Sequence, residues 1–170
     1  MKILRLTSII ILACTVLACE KGEDFESNEF TGNEESYTLF SGSDWGFYGE
    51  VTFKEKKDGM AQVIVHLENT EGPLEFPVHL HNDSYDIEAD LIALLSPLKA
   101  SNGISISESV IKADETAFTY KELIDFDGHI KIHLDEEANK DVILAYGNIG
   151  ANQSKPIDQG MAACSSELKN

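Results

Sequence analysis

Imidazole binds transition metals and exchanges protons near neutral pH, and this chain carries five of them. Two stand in Phe76-Pro77-Val78-His79-Leu80-His81-Asn82-Asp83-Ser84, where apolar and polar residues alternate. Successive side chains of a strand point to opposite faces. His79 and His81 therefore share one face ~7 Å apart, with Val78 and Leu80 directed into a core. Both rings can then converge on one ion. Gly128-His129-Ile130-Lys131-Ile132-His133-Leu134 repeats the alternation, with Ile130, Ile132 and Leu134 inward and His129, Lys131 and His133 outward. Four residues of strand put His129 and His133 ~13 Å apart, so only one of them can join an ion held by the other strand.

The residues by themselves leave two readings open, a metal chelate and a pair of solvated histidines at a strand end. A His-x-His pattern is short and has little specificity. His66, between Val65 and Leu67, reads as a solvated side chain. His129, beside a glycine turn, reads as a surface residue. Asp83, Asp86, Glu88 and Asp90 follow the pair and offer oxygen donors, although loop carboxylates are common in so acidic a chain. Asp135-Glu136-Glu137 reads as a solvated loop.

The elements that must position these residues are strands. Gly46–Phe53, Ala61–Leu67, Glu75–His81, Ile104–Ile111, Gly128–Leu134 and Asp141–Ile149 all alternate or run apolar. Lys56-Lys57-Asp58-Gly59, Asn102-Gly103 and Asp127-Gly128 supply turn chemistry. Segment 86–98 fits a strand or a short helical turn, and Pro97 is expected to stop either. With no long amphipathic helix, seven to eight short strands predict an all-β, antiparallel Greek-key sandwich or barrel over residues 37–150. The final twenty residues, 151–170, read as loop and tail.

The N-terminus carries a different signal. Lys2 and Arg5 precede an apolar run from Ile9 to Ala18 that ends in Val16-Leu17-Ala18-Cys19. A basic start, a short apolar stretch and small residues at its end predict a signal peptide over 1–18, too short to span a bilayer. A cysteine directly after that pattern resembles the bacterial lipobox, which implies lipidation of Cys19. Residues 19–36 then read as the lipidated cysteine and a flexible acidic tether. Removing Lys2 and Arg5 from 13 basic residues leaves 11 against 30 acidic ones. That excess argues against nucleic acid and against an electrostatic grip on anionic lipid, so the membrane is reached through the lipid alone. The expected address is the cell envelope of a bacterium. With Cys14 removed and Cys19 acylated, Cys164 is left without a partner for an intrachain disulfide.

The order of several short pieces resembles a known family. Gly49 to Phe53 reads Gly-x-Val-x-Phe, Val65 to Leu67 ends a strand in Val-His-Leu, and His79-Leu80-His81 follows. Ala89-Asp90-Leu91, Asn102 to Ile111 and Gly128 to Leu134 come next. Over about residues 45–150 this resembles the copper/zinc superoxide dismutase superfamily and the related chordin-type (CHRD) domains. The resemblance implies an immunoglobulin-like sandwich, copper as cofactor, and copper ligands at His79, His81 and, from the late strand, His133 rather than His129.

The departures from the family are equally specific. Residues 82–128 contain no histidine and no cysteine, so no zinc site and no bridging ligand are expected. Asp90 lies where the family's zinc aspartate would fall, but alone it holds nothing. Aligning the family's late Arg on this chain meets Ile143 or Met161, neither cationic. Asp135, Glu136 and Glu137 beside His133 are expected to repel an anionic substrate. Three functions are compatible with the sequence: a copper-binding envelope module with weak or no dismutation, a working copper-dependent superoxide dismutase, and a metal-free accessory or interaction domain whose protein partners are unspecified.

Overall fold

The computed structural model describes residues 29–85 and 89–155. The predicted signal peptide, Cys19, residues 20–28, Asp86, Glu88 and the tail from 156 onward with Cys164 lie outside the described residues. Eight strands form the fold: β1 Phe30–Ser41, β2 Tyr48–Lys56, β3 Ala61–Glu68, β4 Glu75–Asn82, β5 Leu91–Lys99, β6 Ile104–Ser107, β7 Asp127–His133 and β8 Ile143–Gly150. Every pairing is antiparallel, and the ring β1-β2-β3-β6-β5-β4-β7-β8 closes on itself. Strands β4, β5 and β6 form a meander, while β7 returns to lie beside β4 and β3 lies beside β6. Each return is a Greek-key connection. The all-β, antiparallel, Greek-key architecture expected from the sequence is therefore present, in its closed form, with closure through the short β1–β8 pairing at Phe40 and Ser41.

Period-two alternation decides the core. Val51 and Phe53 of β2, Val63, Val65 and Leu67 of β3, Val78 and Leu80 of β4, and Ile130 and Ile132 of β7 all point inward and are almost fully buried. The hairpin between β2 and β3 uses Gly59 at φ +84°, as its Asp-Gly sequence predicts. One short helix, α1 (Tyr120–Asp125), was not legible from periodicity. Its Thr119 and Glu122 form a reciprocal capping box, and it buries Leu123 against β2, β3 and β8.

Several sequence expectations are corrected here. Residues 30–36, read as the end of the tether, form the first half of β1 and pair with β2 from Phe30–Lys56 to Ser36–Thr52. Apart from half-buried Phe30 their side chains stay in solvent, so the stretch needed no aliphatic residues to become a strand; backbone pairing and polar contacts such as Thr31 and Asn33 on Glu55 hold it. Pro97 does not stop the chain but lies within β5. The ladder slips there, between Phe76–Leu98 and Val78–Leu95, and a slipped position tolerates a residue without an amide hydrogen. Strand β6 ends at Ser107, so 108–111 is not strand. Asp127-Gly128 is no turn; both residues open β7, and Gly128 is needed for close approach. A Cβ there would stand 2.5 Å from the His81 carbonyl oxygen and 2.4 Å from the Phe126 ring.

Candidate metal centre

Strands β4 and β7 are hydrogen-bonded neighbours, with Val78 opposite Ile132, His79 opposite Lys131 and His81 opposite His129. The outer face of this pair therefore carries His79, His81, His129, Lys131 and His133 together. His133 ends β7, two residues beyond the partner of His79, and diagonal neighbours at that offset are within reach of long or aromatic side chains. Ring centroids of His79 and His133 are 4.6 Å apart, those of His79 and His81 5.9 Å, and those of His81 and His133 6.5 Å. One nitrogen from each of the three rings lies within 4.8 Å of the other two. Three histidines thus form a cluster able to hold a metal ion.

Two slips in the ladder flank the cluster. Between β4 and β5 the register jumps from Leu80–Ala93 to His81–Leu91, which leaves Ile92 as the extra residue. Between β7 and β8 it jumps from Ile132–Ala145 to His133–Ile143, which leaves Leu144 extra. Bulges sharpen local twist and re-aim neighbouring side chains. His81 and His133 stand at these two positions, which lets residues from different strands converge.

Ala89 and Lys140, which follow the two strands in the chain, fix the chemistry of two of the rings through their carbonyls. The His81 Nδ1–H donates to the Ala89 carbonyl at 3.3 Å, and the His133 Nδ1–H donates to the Lys140 carbonyl at 2.5 Å. A carbonyl accepts only, so each ring must carry its proton on Nδ1 and present a bare Nε2. The Nε2 atoms of His81 and His133 are buried and have no hydrogen-bond partner. A buried polar atom left unsatisfied is costly, and a metal ion is what two such atoms beside a third imidazole would satisfy. Backbone partners on the opposite nitrogen are the usual second layer of histidine metal sites.

Electrostatics keep the rings neutral. Burial is the main cause pushing His79 and His81 down to about 4; His133 and His81 add to it at His79, and Lys131 and His129 at His81. His133 is also lowered, again mainly by burial, with the Lys140 hydrogen bond opposing. Neutral imidazoles need lose no proton to bind a metal at pH 7.

Among the described residues, the remaining sequence candidates fall outside the cluster. His129 was read as a surface residue, yet it is fully buried. Its Nδ1–H donates to the Asp83 carbonyl at 2.8 Å, its ring stacks on His81 at 5.1 Å, and Tyr85 meets it edge-on. The 83–85 segment covers it, which turn chemistry in the sequence did not reveal. His66 lies on β3, partly solvated, with Glu68 at 3.9 Å. Asp90 is exposed and contributes its backbone to Asn82. Asp135 folds back on its own loop, accepting from the amides of Glu137 and Asn139 and from the Asn139 side chain.

Alternation places Lys131 on the outward face, and the strand pairing gives it a neighbour there that the sequence alone does not reveal. It stands directly opposite His79, half-buried, with Nζ 5.4 Å from the Tyr85 ring centre. Tyr85 in turn stacks on Tyr146 at 3.7 Å. Lys131 lowers the proton affinity of all three clustered histidines, and its own pKa is lowered by burial. Among the described residues, Asp141 is the carboxylate that acts on His133, and Lys131 acts on it more strongly.

No protein-family model, curated protein or solved structure matches this chain. The fold and the site therefore define the class to which the protein is assigned: an all-β closed barrel with a three-histidine cluster on its outer surface.

Proposed function

We propose that this chain is a cell-envelope lipoprotein, anchored through Cys19, whose superoxide dismutase-like barrel binds copper through His79, His81 and His133 with weak or no dismutation. The observation that carries the metal reading is the convergence of three imidazole nitrogens within 4.8 Å, two of them with Nδ1–H tied to backbone carbonyls. Three nitrogen donors, with no carboxylate in the cluster among the described residues, favour copper among the divalent ions by the general affinity order. When bound, copper supplies one-electron redox chemistry. The chain's residues hold it, keep the imidazoles neutral and orient two of them through the Ala89 and Lys140 carbonyls.

Weak turnover is argued from the sequence. Residues 82–128 lack a histidine that could bridge to a second metal and hand on a proton. One observation favours the alternative of an active dismutase: Lys131 places a cation beside the cluster, where an anion would be drawn. Two measurements separate the readings, copper content after dialysis against buffer and superoxide consumption by the loaded protein. Retained copper with slow consumption supports the proposal. A rate near the diffusional ceiling of ~10⁹ M⁻¹s⁻¹ supports the alternative. No retained copper leaves a metal-free interaction domain.

The anchor has a separate test. Cys19→Ala should move the protein out of the membrane fraction. Unchanged membrane association of that variant rules the anchor out.

A further inference from the structure

The cluster differs from an ordinary divalent site in its charge. Each imidazole is neutral, and the Nδ1–H bonds of His81 and His133 to carbonyls give no drive toward an imidazolate. No Asp, Glu or Cys belongs to the cluster among the described residues. Lys131, directly opposite His79 on the same face, adds a positive charge instead.

Resting on the copper reading above, we infer that this site selects a soft monovalent cation, Cu(I), over divalent ions, and that Lys131 sets the selectivity. The physical reason is simple. Repulsion from the ammonium scales with the charge of the bound ion, so a divalent ion meets twice the penalty of a monovalent one. In a half-buried setting solvent screens this incompletely. Coordination number acts in the same direction. Three converging nitrogens complete a trigonal shell for a monovalent d¹⁰ ion, whereas Cu(II) prefers four donors in a tetragonal arrangement.

The experiment compares Cu(I), measured anaerobically by competition with a chromogenic chelator, and Cu(II), measured by the same approach in air. Ag(I) and Zn(II) serve as redox-inert counterparts. Wild-type protein should hold the monovalent ion more tightly in each pair. Lys131→Met should strengthen monovalent binding roughly threefold and divalent binding roughly tenfold, because the second effect is the square of the first. Lys131→Arg should keep the wild-type ratio. Equal changes for both charges, or no change in either, would overturn the role of Lys131 while leaving the copper site standing. Binding of neither ion by the wild type would remove the metal reading and this inference together. If Lys131→Met does not fold, the wild-type preference between Ag(I) and Zn(II) decides: stronger Zn(II) binding overturns the inference.

Discussion

The His133 Nδ1–H donates to the Lys140 carbonyl at 2.5 Å, seven residues along the chain, and this leaves Nε2 as the nitrogen without a hydrogen-bond partner. The loop from 135 to 141 thus acts on the site through backbone geometry. Asp135 shapes that loop by accepting three hydrogen bonds from Glu137 and Asn139. Asp135→Ala should therefore loosen the Lys140 carbonyl and weaken metal binding by about tenfold, the lower end for groups that orient a ligand. Titration of a metal into the variant checks this. An unchanged affinity would show that the loop does not orient His133.

Acid should destabilise the barrel through the clustered rings. The folded-state pKa of His79 and His81 is lowered from 6.5 to about 4 by burial first and neighbouring positive groups second. Between those values the unfolded chain binds protons that the folded chain does not, so stability falls as pH drops. Above pH ~6.5 both states are neutral and the contribution is flat. Urea midpoints measured between pH 7 and pH 4 should decline, and less steeply for His79→Gln. Equal slopes would exclude His79 from the effect.

Gly128 is a packing requirement of the site. The added Cβ of Gly128→Ala would press on the His81 carbonyl and the Phe126 ring. Overpacking of this kind costs about 2 kcal/mol, and β7 can yield only by moving away from β4. Chemical denaturation should show the loss, accompanied by weaker metal binding. A variant as stable as the wild type would mean that Phe126 swings aside.

His129 and His66 separate structural from ligand roles. His129 is fully buried and bonded to the Asp83 carbonyl, so His129→Ala should destabilise the fold by about 3 kcal/mol. Wherever the variant is folded it should keep metal affinity within a few-fold of wild type. His66→Ala should leave both stability and metal binding unaltered, since that ring is partly solvated on β3. Loss of metal binding in the His66 variant would relocate the site.

Much of this arrangement was legible in the sequence because period two is a strong signal. The inward residues of β2, β3, β4 and β7, the β2–β3 turn and the His79/His81/His133 set all followed from alternation, with the family resemblance choosing His133. What escaped was decided by tertiary contacts. Pro97 reads as a terminator until a ladder slip accommodates it, and Phe30 to Ser36 reads as tether because a solvated strand carries no hydrophobic pattern. The burial of His129 depends on the 83–85 segment lying across it, a fold-back that local sequence does not encode. Lys131 was placed on the correct face, but only its position opposite His79 shows that a cation faces the cluster.

The central claim is that His79, His81 and His133 together hold one metal ion. Isothermal titration of copper into the wild type, the His79→Ala/His81→Ala double variant and His133→Ala tests it most directly. The account predicts one ion per chain for the wild type. It also predicts at least tenfold weaker binding for His133→Ala, and no saturable binding for the double variant. Superimposable isotherms for all three folded proteins would contradict it and leave the His-Leu-His segment a strand end covered by its loop.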